Sequence, residues 1–152
     1  MSEKKNVIHV GIDLGTSRSA VSASNGQRHV VDSYVGWPVD MVARKVLRRP
    51  VLIGREALEN RSMLDLHRPL ERGLLKEGSE KDQEAVRQLL VHLLELAGLE
   101  ESARGTTQVR AVVGVPAEAL RVNKQQLRTA FSGLVDALLI VTEPFAVAYG
   151  IE

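Results

Sequence analysis

Cysteine is absent from this 152-residue chain, which excludes a disulfide scaffold and fits a reducing compartment. Aromatic residues make up only 3% of it, so a core must be built from Leu, Val, Ile and Ala. The same shortage removes the stacking groups that nucleic-acid binders interleave with basic residues. Charge of one sign is also lacking, since 20 Lys and Arg face 19 Asp and Glu. No apolar run approaches the ~20 residues of a membrane span. The polar lead-in Met1-Ser2-Glu3-Lys4-Lys5-Asn6 has no apolar segment of the signal-peptide kind. Four histidines, His9, His29, His67 and His92, are scattered without metal-ligand spacing. The expectation is a cytoplasmic single domain, large enough for a real core, with no nucleic-acid partner and no membrane span.

What is present centres on Gly11-Ile12-Asp13-Leu14-Gly15-Thr16-Ser17, directly after the apolar run Val7 to Val10. An apolar strand that ends in a carboxylate and a turn of small residues can aim successive backbone N–H groups into one concavity. Phosphate oxygens suit such a concavity. Asp13 at the strand exit can hold a hydrated Mg²⁺ through water. The same residues also fit a plain β-corner, with Gly15 at positive φ and Thr16 or Ser17 as turn formers.

Along the chain, Val7 to Asp13, Ser19 to Ser24 and Gln27 to Asp32 have strand character. Asn25-Gly26 between the last two predicts a type I′ hairpin turn. From 35 to 78 the pattern changes: Trp37-Pro38, Arg49-Pro50 and Arg68-Pro69 punctuate it. A short strand Val51-Leu52-Ile53 and a helix from Arg55 to about Ser62 are expected there, as an excursion from the main sheet. Arg44, Lys45, Arg48 and Arg49 form a basic cluster in this excursion, either a solvated edge or a protein-contact surface.

Lys81 to Ala97 has the clearest helical period, through Val86, Leu89, Leu90, Leu93 and Ala97. Ser79 with Asp82 suits its start, Gly98 its stop, and His92 lies where the helix dipole would tolerate a proton. Gln108 to Val115 predicts a buried strand. Asn123 with Gln126 predicts the cap of a helix whose inner face is Leu127, Ala130, Phe131 and Leu134. Ala137 to Thr142 predicts another strand, and Glu143-Pro144 opens a last helix. The resulting order, β-β-β-α-β-α-β-α, gives an α/β fold: a ribonuclease-H-like mixed sheet flanked by helices.

With these pieces in order, the chain resembles the actin and Hsp70 ATPase superfamily. Gly11 to Ser17 resembles its first phosphate loop. Ala111-Val112-Val113-Gly114-Val115-Pro116 resembles the strand leading into its second core helix. Glu143-Pro144-Phe145-Ala146-Val147-Ala148-Tyr149-Gly150 resembles its hinge motif. Within the superfamily the resemblance is to the magnetosome-associated branch of bacterial actins, through Val35-Gly36-Trp37-Pro38, Ala43-Arg44-Lys45, Arg61-Ser62, Leu64-Asp65-Leu66, Pro69-Leu70 and Gly73.

The resemblance implies a division into subdomain IA (1–34 and 79–152) and an inserted subdomain IB (35–78). It implies Mg-ATP as cofactor, with Asp13 beside the metal through water and Gly11, Gly15, Thr16 and Ser17 along the phosphates. It places Glu143 as the catalytic group that positions the attacking water. That role suits a carboxylate at a helix N-terminus; capping that helix is the plainer role. The family's second phosphate loop and adenosine-holding glycine pair have no counterpart in these 152 residues. The expectation is therefore a half-actin with an incomplete site, little or no ATPase activity alone, and weak or absent ATP binding. Apolar surface left on one sheet face would favour a dimer or a head-to-tail filament. Two alternatives stand beside this cytoskeletal reading: a regulatory module docking on a full-length actin-like filament, and a fragment of an ATP-hydrolysing filament protein. A sugar-kinase-type fragment is more distant, for want of a sugar-binding insert.

Overall fold

Strand β1 (Asn6–Leu14) lies at the centre of a five-stranded sheet in the computed structural model, which describes residues 6–72, 74–75, 80–100 and 105–142. It pairs antiparallel with β2 (Arg18–Ala23), which pairs antiparallel with β3 (Arg28–Asp32). On its other side it pairs parallel with β9 (Thr107–Val115), which pairs parallel with β10 (Ala137–Thr142). The order β10-β9-β1-β2-β3 is the mixed sheet expected from the sequence. Alternation sends Val10, Ile12, Leu14, Val21, Ala23, Val109, Ala111, Val113 and Val115 to one face, all buried. Helices α3 (Glu80–Leu96) and α4 (Arg121–Phe131) cover that face through Val86, Leu89, Leu90, Leu93, Leu127, Ala130 and Phe131.

The opposite face carries Gly11 and Asp13 of β1, aligned with Val112 and Gly114 on one side and Ser22 and Ala20 on the other. Val30 and Leu139 are exposed on it. The expectation of a fully buried β9 is therefore corrected. Its residues are buried only at alternate positions, and Arg110 is exposed, because the described helices cover one face alone.

Three local expectations also change. The β2–β3 hairpin is not type I′, because Asn25 keeps a negative φ and only Gly26 is left-handed, at φ 92°. Gly26 N–H donates to Ala23 and Ala23 N–H donates to Gln27, which closes a three-residue loop with the glycine as a bulge. Asn25 is thereby free to act elsewhere: its Nδ2 donates to the Ala97 carbonyl at the end of α3, 2.8 Å away. The α3 terminus itself closes as expected at Gly98, with Leu99 N–H on Leu94 and Gly98 N–H on Glu95.

Asn123 is not the cap of α4. The cap is Leu120, and Asn123 sits at the third helical position with its Oδ1 accepting the Leu120 N–H at 2.8 Å. Leucine has no side-chain acceptor, so only half of a capping box exists. His92 is the third change: burial, then Arg49 among its neighbours, lowers its pKa in spite of Glu95 and Glu56. Desolvation outweighs the helix-end field there.

Chain 35–67 builds a separate three-stranded sheet, order β5-β4-β6, from β4 (Val35–Pro38), β5 (Leu52–Ile53) and β6 (Leu64–His67). Helix α1 (Met41–Leu47) was not foreseen; Asp40 caps it by accepting the Ala43 N–H at 2.8 Å. Helix α2 (Arg55–Glu59) stops short of Ser62 and passes into a 3-10 turn, Arg61–Met63. Leu52, Ala57 and Leu64 form a small core under Tyr34, Leu47 and Leu66. A last pair, β7 (Leu70–Glu71) and β8 (Leu74–Leu75), leads toward α3. The Ser79 cap and the helix expected after Pro144 lie outside the described residues.

The small sheet meets α3 at His67. Its Nδ1 is 2.9 Å from Asp82 Oδ1 on α3, and its Nε2 is 3.1 Å from Asp65 Oδ2 but off the direction of a well-formed hydrogen bond. Trp37 meets the imidazole edge-on, with Lys81 Nζ over the indole. Burial alone would lower the His67 pKa, but the hydrogen bond that its Nδ1–H donates to Asp82, the contact with Asp65 and the charges of both carboxylates outweigh it and raise it.

Candidate functional site

The turn Gly15–Ser17 joins β1 to β2 above the paired residues Leu14 and Ser19. Gly15 is not at positive φ. Glycine is required there for a different reason: a Cβ would overlap the carbonyl oxygen of Arg18 across the turn. The chain thus folds back on itself more tightly than any side chain permits, a cradle of the kind that backbone-anion contacts need.

Two buried serines hold this turn, and neither was singled out in the sequence. Ser33 Oγ donates to the Gly15 carbonyl at 2.7 Å, and Ser19 Oγ lies 2.8 Å from Ser33 Oγ. A hydroxyl has one proton, so Ser33 spends its own on Gly15 and Ser19 must be the donor to Ser33. Ser33 N–H also donates to the Ser17 carbonyl at 2.9 Å, so one residue grips both ends of the turn. Ser19 and Ser33 are essentially inaccessible, at 1% and 0% exposure. Period-2 alternation from Val21 and Ala23 could have flagged Ser19 as an inward polar group. Nothing local distinguishes Ser33.

Asp13 stands on the open sheet face, one strand residue before the turn, beside Ala20 and Gly114. Those small neighbours leave space around the carboxylate, and no cation pairs with it among the described residues. Partial burial raises its pKa. A hydrated divalent cation is the partner such a group can take, at outer-shell distance. The structure thus brings Gly11, Asp13, Gly15, Thr16 and Ser17 to one end of β1. Glu143 lies outside the described residues, as does the hinge motif that contains it. Among the described residues no cluster of His, Asp and Glu has metal-site geometry, and no helix is long and apolar enough to cross a membrane.

No family model matches the chain. Over 150 residues, 99% of the chain, it is 43% identical to the actin-like protein MamK of Magnetospirillum gryphiswaldense and covers 41% of that protein. It is 41% identical, again over 99% of its length, to MamK of Paramagnetospirillum magneticum, of which it covers 42%. It superposes on a chain of a MamK double helical filament with a TM-score of 0.86 at 42% identity, over 95% of this chain and 43% of that one. Against a non-polymerising MamK mutant bound to AMPPNP the TM-score is 0.83 at 42% identity, over 96% of this chain and 44% of that one. Spiroplasma citri MreB5 bound to ADP gives 0.63 at 15% identity, over 90% of this chain and 37% of that one, a likeness of fold alone. The chain spans about two fifths of the length of the curated relatives it matches.

Proposed function

We propose, from the homology of the whole chain to MamK actin-like proteins, that it is the domain I half of an actin-like filament protein and self-associates into filaments. The observation that carries this reading is the superposition of nearly the whole chain on a filament subunit. In this reading 1–34 and 79–152 form subdomain IA, and 35–78 form subdomain IB. The change of sheet at Ser33 to Val35 supports that division. Exposed Val30 and Leu139 on the open sheet face are apolar surface available to a second copy.

The site at the end of β1 fits Mg-ATP, and a MamK mutant has been found bound to AMPPNP. Asp13 would orient the metal's water shell, and the backbone of Gly15, Thr16 and Ser17 would face the phosphates, with Gly11 keeping the approach open. Glu143 would hold and deprotonate the attacking water. Bound Mg-ATP would supply the phosphoryl group for hydrolysis. The 152 residues provide donors on one side of the phosphates, so charge developed during transfer would go unopposed on the other. Nucleotide binding by this chain alone is accordingly weak and its hydrolysis negligible.

Electron microscopy of the purified chain, alone and mixed with a full-length actin homologue, tests the proposal. Filaments or ordered oligomers of the chain alone are expected. A monomer at high concentration by light scattering refutes self-association, and decoration of the homologue's filaments by a monomeric chain would make it a regulatory module. Titration calorimetry with Mg-ATP should give no micromolar binding.

A further inference from the structure

The main sheet ends at β3 on an edge whose hydrogen-bonding groups can be named. Ser33 N–H donates to the Ser17 carbonyl and Ala23 N–H to that of Gln27, each at 2.9 Å. Positions 27, 29, 31 and 33 therefore face β2, and Arg28, Val30 and Asp32 turn their N–H and C=O groups to the open side. Among the described residues these groups have no partner, except the Asp32 carbonyl, which accepts the Tyr34 N–H at 2.8 Å. The space beside the edge is open as well. A groove of about 710 Å³ runs between β3 and α2, past Val30, Val31, Gly54 and Leu58.

An open edge of this kind is a template for another strand. Its side chains select which one. Arg28, Val30 and Asp32 share one face of the sheet, in the order cation, apolar, anion. Val30 is 68% exposed. Arg28 is exposed without an ion pair among the described residues, and Asp32 has one long contact, 3.8 Å, with Arg18. Laid antiparallel, this order is its own complement. With Val30 opposite Val30 of a second copy, each Arg28 lies across from the other copy's Asp32. Parallel pairing in register would set like charge against like, and an antiparallel slip of two residues would part the charges.

We infer that β3 is a pairing edge for a second copy of this chain: two β3 strands join antiparallel about Val30, and the two main sheets become one. Val30 of each copy exchanges both backbone hydrogen bonds with the other, and so do Arg28 and the second copy's Asp32. The Asp32 carbonyl keeps the Tyr34 N–H and takes the new bond on its second lone pair. The hairpin tip, bare around Gly26, passes into the second copy's groove beside Gly54. A two-fold contact of this kind closes on itself and builds no filament. It goes beyond the assembly proposed above and does not depend on it.

The chain has no cysteine, so a single one introduced at Val30 reports the pairing directly. At the centre of a hydrogen-bonded antiparallel pair the two Cα atoms stand about 5.5 Å apart, within the roughly 4.4–6.8 Å that a disulfide spans. Val30→Cys, oxidised at micromolar concentration, should give a covalent dimer on a non-reducing gel. Val122→Cys, also exposed but on α4, should not. Within the Val30→Cys chain, Arg28→Asp sets carboxylate against carboxylate and Asp32→Arg sets cation against cation. Either should lower the cross-linking rate roughly tenfold. Mixing the two variants should restore it, because each supplies the charge that the other lacks. Should Asp32→Arg fail to fold, Arg28→Asp and the Val30→Cys cross-link decide alone. No cross-link at Val30, an equal one at Val122, a rate that Arg28→Asp leaves unchanged, or a mixture no better than its parts overturns the inference and leaves the edge to a strand of another protein. Filament formation is scored separately by microscopy, so either conclusion can fail without the other.

Discussion

Removing Ser33 should destabilise the fold more than removing Ser19, although the two hydroxyls touch each other and are equally buried. The asymmetry comes from the direction of the proton chain, Ser19 to Ser33 to the Gly15 carbonyl. Ser33→Ala leaves two orphans in a dry site, the Ser19 proton and the Gly15 carbonyl, at about 1–3 kcal/mol each. A loss of roughly 2–6 kcal/mol follows, or on the order of 4–24 °C in Tm for a domain of this size. Ser19→Ala strips only an acceptor contact from Ser33, which still donates to Gly15, at about 0.5–1.5 kcal/mol. The double variant should recover part of the Ser33→Ala loss, because no hydroxyl is left unpaired. Urea unfolding of the four proteins forms a complete double-mutant cycle. Additive losses, or a Ser19→Ala loss as large as that of Ser33→Ala, would refute the proton order and with it the clamp on the turn.

Gly15→Ala should cost about 1–3 kcal/mol, because the new methyl meets the Arg18 carbonyl; a raised Tm, the usual result at a relaxed glycine, would count against the close approach. Leu93→Ala, at a fully buried position on α3, should cost about 3–5 kcal/mol by chemical denaturation. The joint between the small sheet and α3 should be pH-dependent. The fold raises the His67 pKa, so its contribution is complete below the unfolded value near 6.5 and is lost as pH rises through the folded value. Asp82→Asn should flatten that part of the stability–pH curve, and an NMR titration of His67 with a pKa at or below the free value would refute it.

The main sheet was legible because β1 alternates, Val10, Ile12 and Leu14 with His9, Gly11 and Asp13, and because Asn25-Gly26 marks the reversal between β2 and β3. Helix α3 was legible through five apolar positions at helical spacing. The turn after β1 was legible as a place but not as a geometry. A glycine demanded by a carbonyl three residues away has the same sequence signature as one demanded by φ. Ser33 escaped because a buried serine after a strand looks like any loop serine until its tertiary acceptor is known. Helix α1 escaped because its seven residues are too short to establish a period and its apolar positions do not all face inward: Val42 and Val46 are exposed, and Ala43 and Leu47 point in. The Asn123 assignment missed by three residues, since an asparagine that accepts a capping N–H serves equally at either end of the box.

The pairing of β1 divides the molecule's history as well as its space. Its partner β2 follows within a few residues, but Asn6 must wait for Thr107 before the parallel half of the sheet exists. The small sheet, by contrast, closes entirely between Val35 and His67. On a ribosome that sheet has every strand it needs while the Ile12 edge of β1 still stands open to solvent. Nascent chains of this protein therefore pass through a stage with one sheet shut and the other half-built, the stage at which a chaperone has something to hold.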